Sequence, residues 1–99
     1  MSVLIIGKFP GDTAVFTKTL GDRENELAAT AEEARRAGCI HHRFGVGDGF
    51  VVIVDEWESP QQFEQFIAQP NMQALIAEMG ASGPPEMTIC EAIASPDEF

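Results

Sequence analysis

Basic residues are scarce in this 99-residue chain. Six Lys and Arg stand against sixteen Asp and Glu, which gives a formal net charge of −10. Nucleic acids and anionic membrane surfaces both bind proteins that carry clustered positive charge. The nearest approach to such a cluster is the pair Arg35-Arg36. The composition therefore argues against a nucleic-acid partner and against a membrane-surface role.

Long apolar runs and paired cysteine motifs are also missing. No stretch of about eighteen apolar residues exists, so we expect no membrane span. Lys8, Pro10 and Asp12 interrupt the start of the chain where a signal peptide needs an unbroken apolar segment, so we expect a cytoplasmic protein. Cys39 and Cys90 lack metal-type spacing, and both lie in apolar contexts that favour a reduced, buried thiol.

Two apolar strands and an amphipathic helix are predicted in the first half of the chain. A hydrophobic content of 44% with 22% charged residues is ordinary for a globular protein, and we predict a single domain of residues 1–99. The pattern predicts a strand at Val3–Phe9, a helix that Asp12 or Thr13 caps and Gly38 ends, and a strand at Cys39–Val46. Gly21 is expected to bend or interrupt that helix.

The second half repeats this plan after a tight turn. Gly47-Asp48-Gly49 predicts a hairpin because such a turn requires positive φ angles. The third strand is predicted at Phe50–Glu58, followed by a helix with Ser59 as its cap and Pro60 at its first position. Pro70-Asn71 should break this helix, whose second piece ends at Gly80, and the last strand is predicted at Glu86–Ala94.

The order βαββαβ predicts an α+β, ferredoxin-like fold with a four-stranded antiparallel sheet and both helices on one face. The strands, however, are apolar on both faces. Val51 and Ile53 point to one side, whereas Val52 and Val54 point to the other. Helices can cover only one side, and a soluble monomer rarely exposes a large apolar sheet. A second copy of the chain is the economical cover, so we predict a homodimer through the sheet face.

Two short segments of the sequence resemble motifs of a known family. Ala37-Gly38-Cys39-Ile40 opens the second strand, and Val54-Asp55-Glu56-Trp57-Glu58-Ser59 closes the third. Together with the order of elements they resemble the antibiotic-biosynthesis monooxygenase-like proteins of the dimeric α/β-barrel superfamily. This resemblance implies a dimer with a pocket between sheet and helices in each subunit. Some members oxidise polycyclic aromatic substrates with oxygen and no metal or flavin, whereas others degrade haem or process signalling molecules.

Trp57 is the residue that the resemblance places at this pocket. Its indole offers a flat apolar wall and one N–H donor, which suits a planar ligand, although a core Trp with a satisfied N–H is an equally simple interpretation. Asp55 lies on the same side of the strand. A carboxylate at the end of an apolar row must be paired, exposed at the rim, or available as a general base.

His41 and His42 are the candidates for moving a proton near neutral pH. Neighbours on a strand point to opposite faces, so the two rings cannot bind one metal ion together, and we predict no metal site. His42 shares its predicted face with Ile40 and Phe44. Either His42 or His41 could be the catalytic residue. Alternatively, neither is catalytic, and one ring is exposed while the other is hydrogen-bonded inside the fold or the dimer.

Arg23 falls on the apolar stripe of the first helix, between Leu20 and Leu27. A charge on such a stripe is costly unless it is paired. Arg23 is therefore expected to bind a ligand carboxylate or to pair with Asp55 or Glu56. The alternative is an arginine whose aliphatic stem lies along the helix edge after the bend at Gly21.

Phe63 and Phe66 belong to the apolar stripe of the second helix and either form core or shape the pocket. Haem-degrading relatives carry an iron-ligating His in this helix, whereas Phe63-Glu64-Gln65-Phe66-Ile67 contains none. The chain also has no Tyr. We therefore expect a protein without a cofactor that binds a small, planar, apolar ligand. It is either a cofactor-independent monooxygenase or a non-catalytic ligand-binding or protein-interaction module.

Overall fold

A computed structural model describes residues 1–99 and confirms the predicted order of elements. Each predicted helix is divided in two. The elements are β1 (Val3–Pro10), α1 (Thr13–Asp22), α2 (Glu24–Ala37), β2 (Cys39–Gly47), β3 (Phe50–Trp57), α3 (Pro60–Ile67), α4 (Pro70–Ala77) and β4 (Glu86–Glu91).

The four strands form one antiparallel sheet in the order β2-β3-β1-β4. This is the predicted α+β, ferredoxin-like arrangement, with the mainly apolar strands β1 and β3 at its centre. The last strand ends at Glu91 and not at the predicted Ala94. Ala92 still donates its N–H to the carbonyl of Ser2 at 3.0 Å, but β1 begins at Val3, so later residues have no strand to pair with.

Local capping chemistry determines where the helices begin. The Oδ1 atom of Asp12 accepts the N–H of Ala14 at 2.9 Å, and the hydroxyl of Ser59 accepts the N–H of Gln62 at 3.2 Å. Pro60 and Pro70 occupy first-turn positions, where their missing N–H costs nothing. None of the helices is long and apolar enough to cross a membrane.

The core is small because the helices do not cover the sheet evenly. Twelve of the 99 residues are buried, and the helix α2 buries none of its side chains. The main cluster of buried hydrophobic residues lies where α3 and α4 meet the sheet, and consists of Val3, Ile5, Trp57, Phe63, Phe66 and Met72. Space therefore remains between α2 and the sheet.

The face of the sheet that points away from the helices is uncovered. We call it the outer face, and its apolar centre consists of Leu4, Ile6, Val52 and Val54, which the register places side by side on β1 and β3. Ile6 is 37% exposed and Val54 is 49% exposed. The alternation predicted for β3 is confirmed, since Val51 and Trp57 are buried on the helix side.

Gly38 closes α2 in a conformation that other residues rarely adopt. Its φ angle is 119°, and a Cβ atom there would lie 2.6 Å from Nε2 of Gln62. Replacing Gly38 with Ala should therefore lower the free energy of unfolding by about 1–3 kcal/mol, measured by urea denaturation.

Gly21 is the matched control for this substitution, because it is helical and a Cβ atom there would have no neighbour within 4 Å. Gly21→Ala should raise stability by about 0.5–1 kcal/mol. Equal effects of the two substitutions would contradict the role assigned to Gly38.

Candidate functional site

A cavity of about 950 Å³ lies between the helices and the sheet. The side of α2 that faces the sheet lines the cavity with Leu27, Ala31 and Ala34, and its C-terminal end packs against the core through Ala34 and Ala37. Most of the lining is apolar, and the sheet contributes Phe44 and Ile53, among others. The space left between α2 and the sheet is thus a partly open, mainly apolar cavity where core would otherwise form.

A buried carboxylate organises the polar part of this cavity. Asp55 is 5% exposed, and its two oxygens have different partners. Its Oδ1 atom lies 2.6 Å from Nδ1 of His42, and its Oδ2 atom accepts the indole N–H of Trp57 at 3.1 Å. The register explains this grouping, because His42 on β2 lies directly opposite Asp55 on β3. The carboxylate is therefore neither unpaired nor at the rim.

This hydrogen bonding defines the tautomer of His42. An ionised carboxylate only accepts hydrogen bonds, so Nδ1 must carry the proton that joins it to Asp55. In the neutral ring the Nε2 atom then has a free lone pair. The side chain of His42 is 43% exposed, so the ring is accessible at the cavity. A histidine oriented by a buried carboxylate in this way can accept a proton from a bound molecule.

Aromatic rings surround the histidine. The ring of Phe44 packs edge-on against His42 with a centroid separation of 4.6 Å, and Phe16 packs edge-on against Phe44 at 5.0 Å. Phe16 is buried, whereas Phe44 is half-buried and lines the cavity. The lining beside the only His–Asp pair is thus flat and apolar.

Trp57, Phe63 and Phe66 lie together at one end of the cavity. The ring centroid of Trp57 lies 5.6 Å from that of Phe63 and 5.5 Å from that of Phe66. All three contribute to the lining, but Trp57 is only 2% exposed. The indole therefore offers little free surface, and its clearest contact is the hydrogen bond to Asp55.

His41 and His42 point to opposite faces of the sheet. His41 is aligned with Glu56, on the outer face, although the residue also borders the cavity, whereas His42 is aligned with Asp55. A β-bulge between Cys39 and His41 leaves Ile40 as an extra residue. The bulge interrupts the regular alternation predicted there, and Ile40 lines the cavity together with His42.

Arg23 lies outside the cavity. Its guanidinium forms ion pairs with Glu26, at 3.0 Å, and with Glu78. The predicted pairing with Asp55 or Glu56 is wrong, because the helix breaks at Arg23 itself and turns the residue away from the stripe formed by Leu20 and Leu27.

Cys39 is a cavity residue whose chemical environment the sequence did not indicate. Burial, with a further contribution from the negative charge of Asp55, raises the pKa of the Cys39 thiol from 9.0 to about 11. The bulge at Ile40 brings Cys39 to the helix side, opposite Trp57. The sequence did not show where this bulge lies, so it could not show that Cys39 faces the helices. No group of three or more His, Cys, Asp or Glu side chains is arranged to hold a metal ion.

The raised pKa predicts slow alkylation of Cys39. In a Cys90→Ser background at pH 9, about one Cys39 in a hundred should be a thiolate, against about half in the unfolded chain. Iodoacetamide should therefore react with the folded protein at least about tenfold more slowly than with urea-unfolded protein. Because the folded state holds this proton more tightly, the contribution of Cys39 to stability is lost as the pH rises from 9 to about 11.

A rate profile with its midpoint at or below pH 9 would contradict this environment. Asp55→Asn removes the nearby negative charge and should move the midpoint of the alkylation profile to lower pH.

No protein-family model and no curated protein matches the chain. Solved structures match it along nearly its whole length. SnoaB from Streptomyces nogalater, a cofactor-independent oxygenase, aligns with a TM-score of 0.69 and 20% identity over 98% of each chain. A monooxygenase from the gene ActVA-Orf6 of Streptomyces coelicolor, in complex with nanaomycin D, aligns with a TM-score of 0.69 and 20% identity over 99% of this chain and 93% of its own.

A third structure, from Caulobacter crescentus CB15, was proposed to be an antibiotic biosynthesis monooxygenase. It aligns with a TM-score of 0.71 and 18% identity over 94% of this chain and 91% of its own. Identities this low establish a shared fold. The resemblance seen in the sequence is thereby confirmed at that level: the chain has the ferredoxin-like α+β fold of the antibiotic biosynthesis monooxygenase structures.

Proposed function

We propose that this protein is a monooxygenase that oxidises a small, planar, apolar substrate with O₂ and without a metal or flavin cofactor. The observation that carries the proposal is the pair His42–Asp55, with Nδ1 and Oδ1 2.6 Å apart, at the wall of an apolar cavity. A proton acceptor with a fixed tautomer supplies the general base that such a reaction requires.

His42 generates the reactive form of the substrate. An aromatic ketone with an acidic CH₂ group, once deprotonated, gives an electron-rich anion that reduces O₂ itself. The Nε2 atom of His42 accepts this proton, and Asp55 stabilises the imidazolium that results. In the complete reaction the CH₂ group becomes C=O, one atom of O₂ enters the product, and the other leaves as water with the two hydrogens. No external reductant is needed.

The cavity fits this class of substrate. Its volume of about 950 Å³ is at the upper end of the range typical of small-molecule sites, and its lining is mainly apolar. Phe44 packs beside His42, and Phe16 packs on the other side of this contact against Phe44. Two proteins of the same fold, SnoaB and the ActVA-Orf6 monooxygenase, are oxygenases by name, and the second binds nanaomycin D.

Among the other sequence candidates, we propose Phe63 and Phe66 as the apolar end of the pocket. We assign Trp57 a supporting role through Asp55, and we give His41 and Arg23 no part in catalysis. His41 lies on the outer face, and Arg23 is paired at the helix break.

The second candidate is a non-catalytic module that binds an apolar ligand. One observation favours it: Arg23, the cation expected to stabilise a developing negative charge, is paired with Glu26 and Glu78 away from the cavity. A protein that binds planar molecules but consumes no oxygen would fit this alternative.

Oxygen uptake with anthrone, a planar tricyclic ketone with an acidic CH₂ group, tests the proposal. The protein should accelerate O₂ consumption, and His42→Gln should lower kcat by about 10²–10⁴-fold, because it removes the general base. Asp55→Asn should lower kcat as well, since it no longer fixes the Nδ1–H tautomer.

His41→Gln is the matched control, because it removes the neighbouring ring on the outer face, and it should retain activity. If anthrone binds without oxygen uptake, the protein is a binding module. If activity survives His42→Gln, the assigned base is wrong.

We further propose that the single domain of residues 1–99 acts in the cytoplasm as a homodimer through the outer face. The apolar centre of that face, formed by Leu4, Ile6, Val52 and Val54, has no cover within the chain. Lys8 lies over the ring of Phe50, 4.5 Å from its centroid, at one end of this face. A second copy would bury the apolar centre and leave the charged margin in water.

Ile6→Glu should convert the dimer to a monomer, because Ile6 lies on the central strand between Val54 and Thr88 and a carboxylate buried there would be unpaired. Sedimentation equilibrium measures the change. Val46→Glu introduces the same charge at an exposed position on the helix side and should leave the dimer intact. A monomeric parent protein, or a dimer that tolerates Ile6→Glu, would contradict this interface.

A further inference from the structure

A row of three residues crosses the sheet on its helix side. Gly7 on β1 lies directly opposite Ile53 on β3 and Met87 on β4. Ile53 and Met87 line the cavity, and Gly7 is buried between them. Gly7 has no side chain and does not itself line the cavity, because the side chain of Met87 lies over it.

Position 7 requires a glycine because a larger residue has no space there, and not because of its backbone conformation. Gly7 is not among the residues with positive φ, which are Gly38, Gly49 and Gly80, so any residue could adopt its backbone angles. A Cβ atom at Gly7, however, would lie 2.8 Å from Sδ of Met87, 3.1 Å from Cγ1 of Ile53 and 3.2 Å from Cε2 of Phe9, so Met87 is its nearest neighbour. The thioether of Met87 thus lies over the central strand and fills the place of the missing side chain.

Met87 is free to leave that place. It lies on the edge strand β4, whose main neighbour is β1, and it is 39% exposed. Methionine is unbranched and has three rotatable side-chain bonds, so it adapts readily to what packs against it. When the side chain moves aside, it opens a groove over the backbone of Gly7, and a glycine in a strand permits such a close approach.

We propose that Gly7 and Met87 determine how large a planar ligand the cavity accepts. With Met87 over Gly7 the floor is closed and suits a small ring system, whereas a larger one must displace the methionine. This inference rests on the ligand site of the proposed function. It adds a specificity-determining pair that is separate from the proton-accepting His42.

Two hydroxylated probes of different size test the proposal. 1-Naphthol has two fused rings and 1-hydroxypyrene has four, and both dissociation constants are measured by calorimetry. Met87→Ala should shift the preference toward 1-hydroxypyrene by about tenfold, because the floor stays open. Gly7→Ala should shift it about tenfold the other way, because the new methyl group displaces Sδ of Met87 into the cavity.

The double variant, Gly7→Ala with Met87→Ala, should return the preference toward that of the parent, since the alanine methyl group then occupies the space that Sδ vacates. Ile93→Ala is the control, because it removes apolar volume from an exposed residue beyond β4. Its preference should not change. If Gly7→Ala fails to fold, Met87→Ala and Met87→Phe, which should shift the preference in opposite directions, decide the matter.

An unchanged ratio of the two dissociation constants in the Met87 variants would overturn this inference and leave the proposed ligand site intact. If neither probe binds the parent protein, the planar-ligand proposal is itself wrong, and this inference is wrong with it.

Discussion

The hydrogen bonding of one buried carboxylate connects fold and chemistry in this protein. Asp55 is costly to bury as a charged group, and it is tolerated because His42 and Trp57 both satisfy it. The same two bonds fix the indole in the core and orient the imidazole at the cavity. Loss of either partner would leave a lone pair without a donor in a poorly hydrated place, so the site and the core depend on each other.

The sheet serves two purposes because both of its faces are apolar. On the helix side, α2 packs against the core through Ala34 and Ala37, and a cavity lies between the rest of the helix and the sheet. The number of buried residues is correspondingly low, at twelve. Covering the outer face would bury further apolar surface, which a chain of this size with few buried residues needs. The proposed dimer would thus compensate for the stability that is lost because the cavity replaces core. Ligand binding and dimer formation would then depend on opposite faces of the same sheet.

Local features were predicted well, because capping and turn chemistry act within a few residues. Asp12, Ser59, Pro60 and Gly38 begin or end helices as their side chains and backbone requirements indicate. Arg23 shows where the same reasoning fails. The sequence predicted the interruption at Gly21, whereas Gly21 is helical and the break falls at Arg23, which pairs with Glu26 and Glu78.

The sequence by itself determined the order of elements, the sheet with two apolar faces, and the shared side of Asp55 and Trp57, since strand alternation has a period of two. Only the tertiary structure decided which histidine meets Asp55, because that depends on the β2–β3 register and on the bulge at Ile40. It also decided that Met87 fills the space over Gly7. These contacts join residues far apart in the chain, and their geometry depends on how the strands align and on how far the helices lie from the sheet.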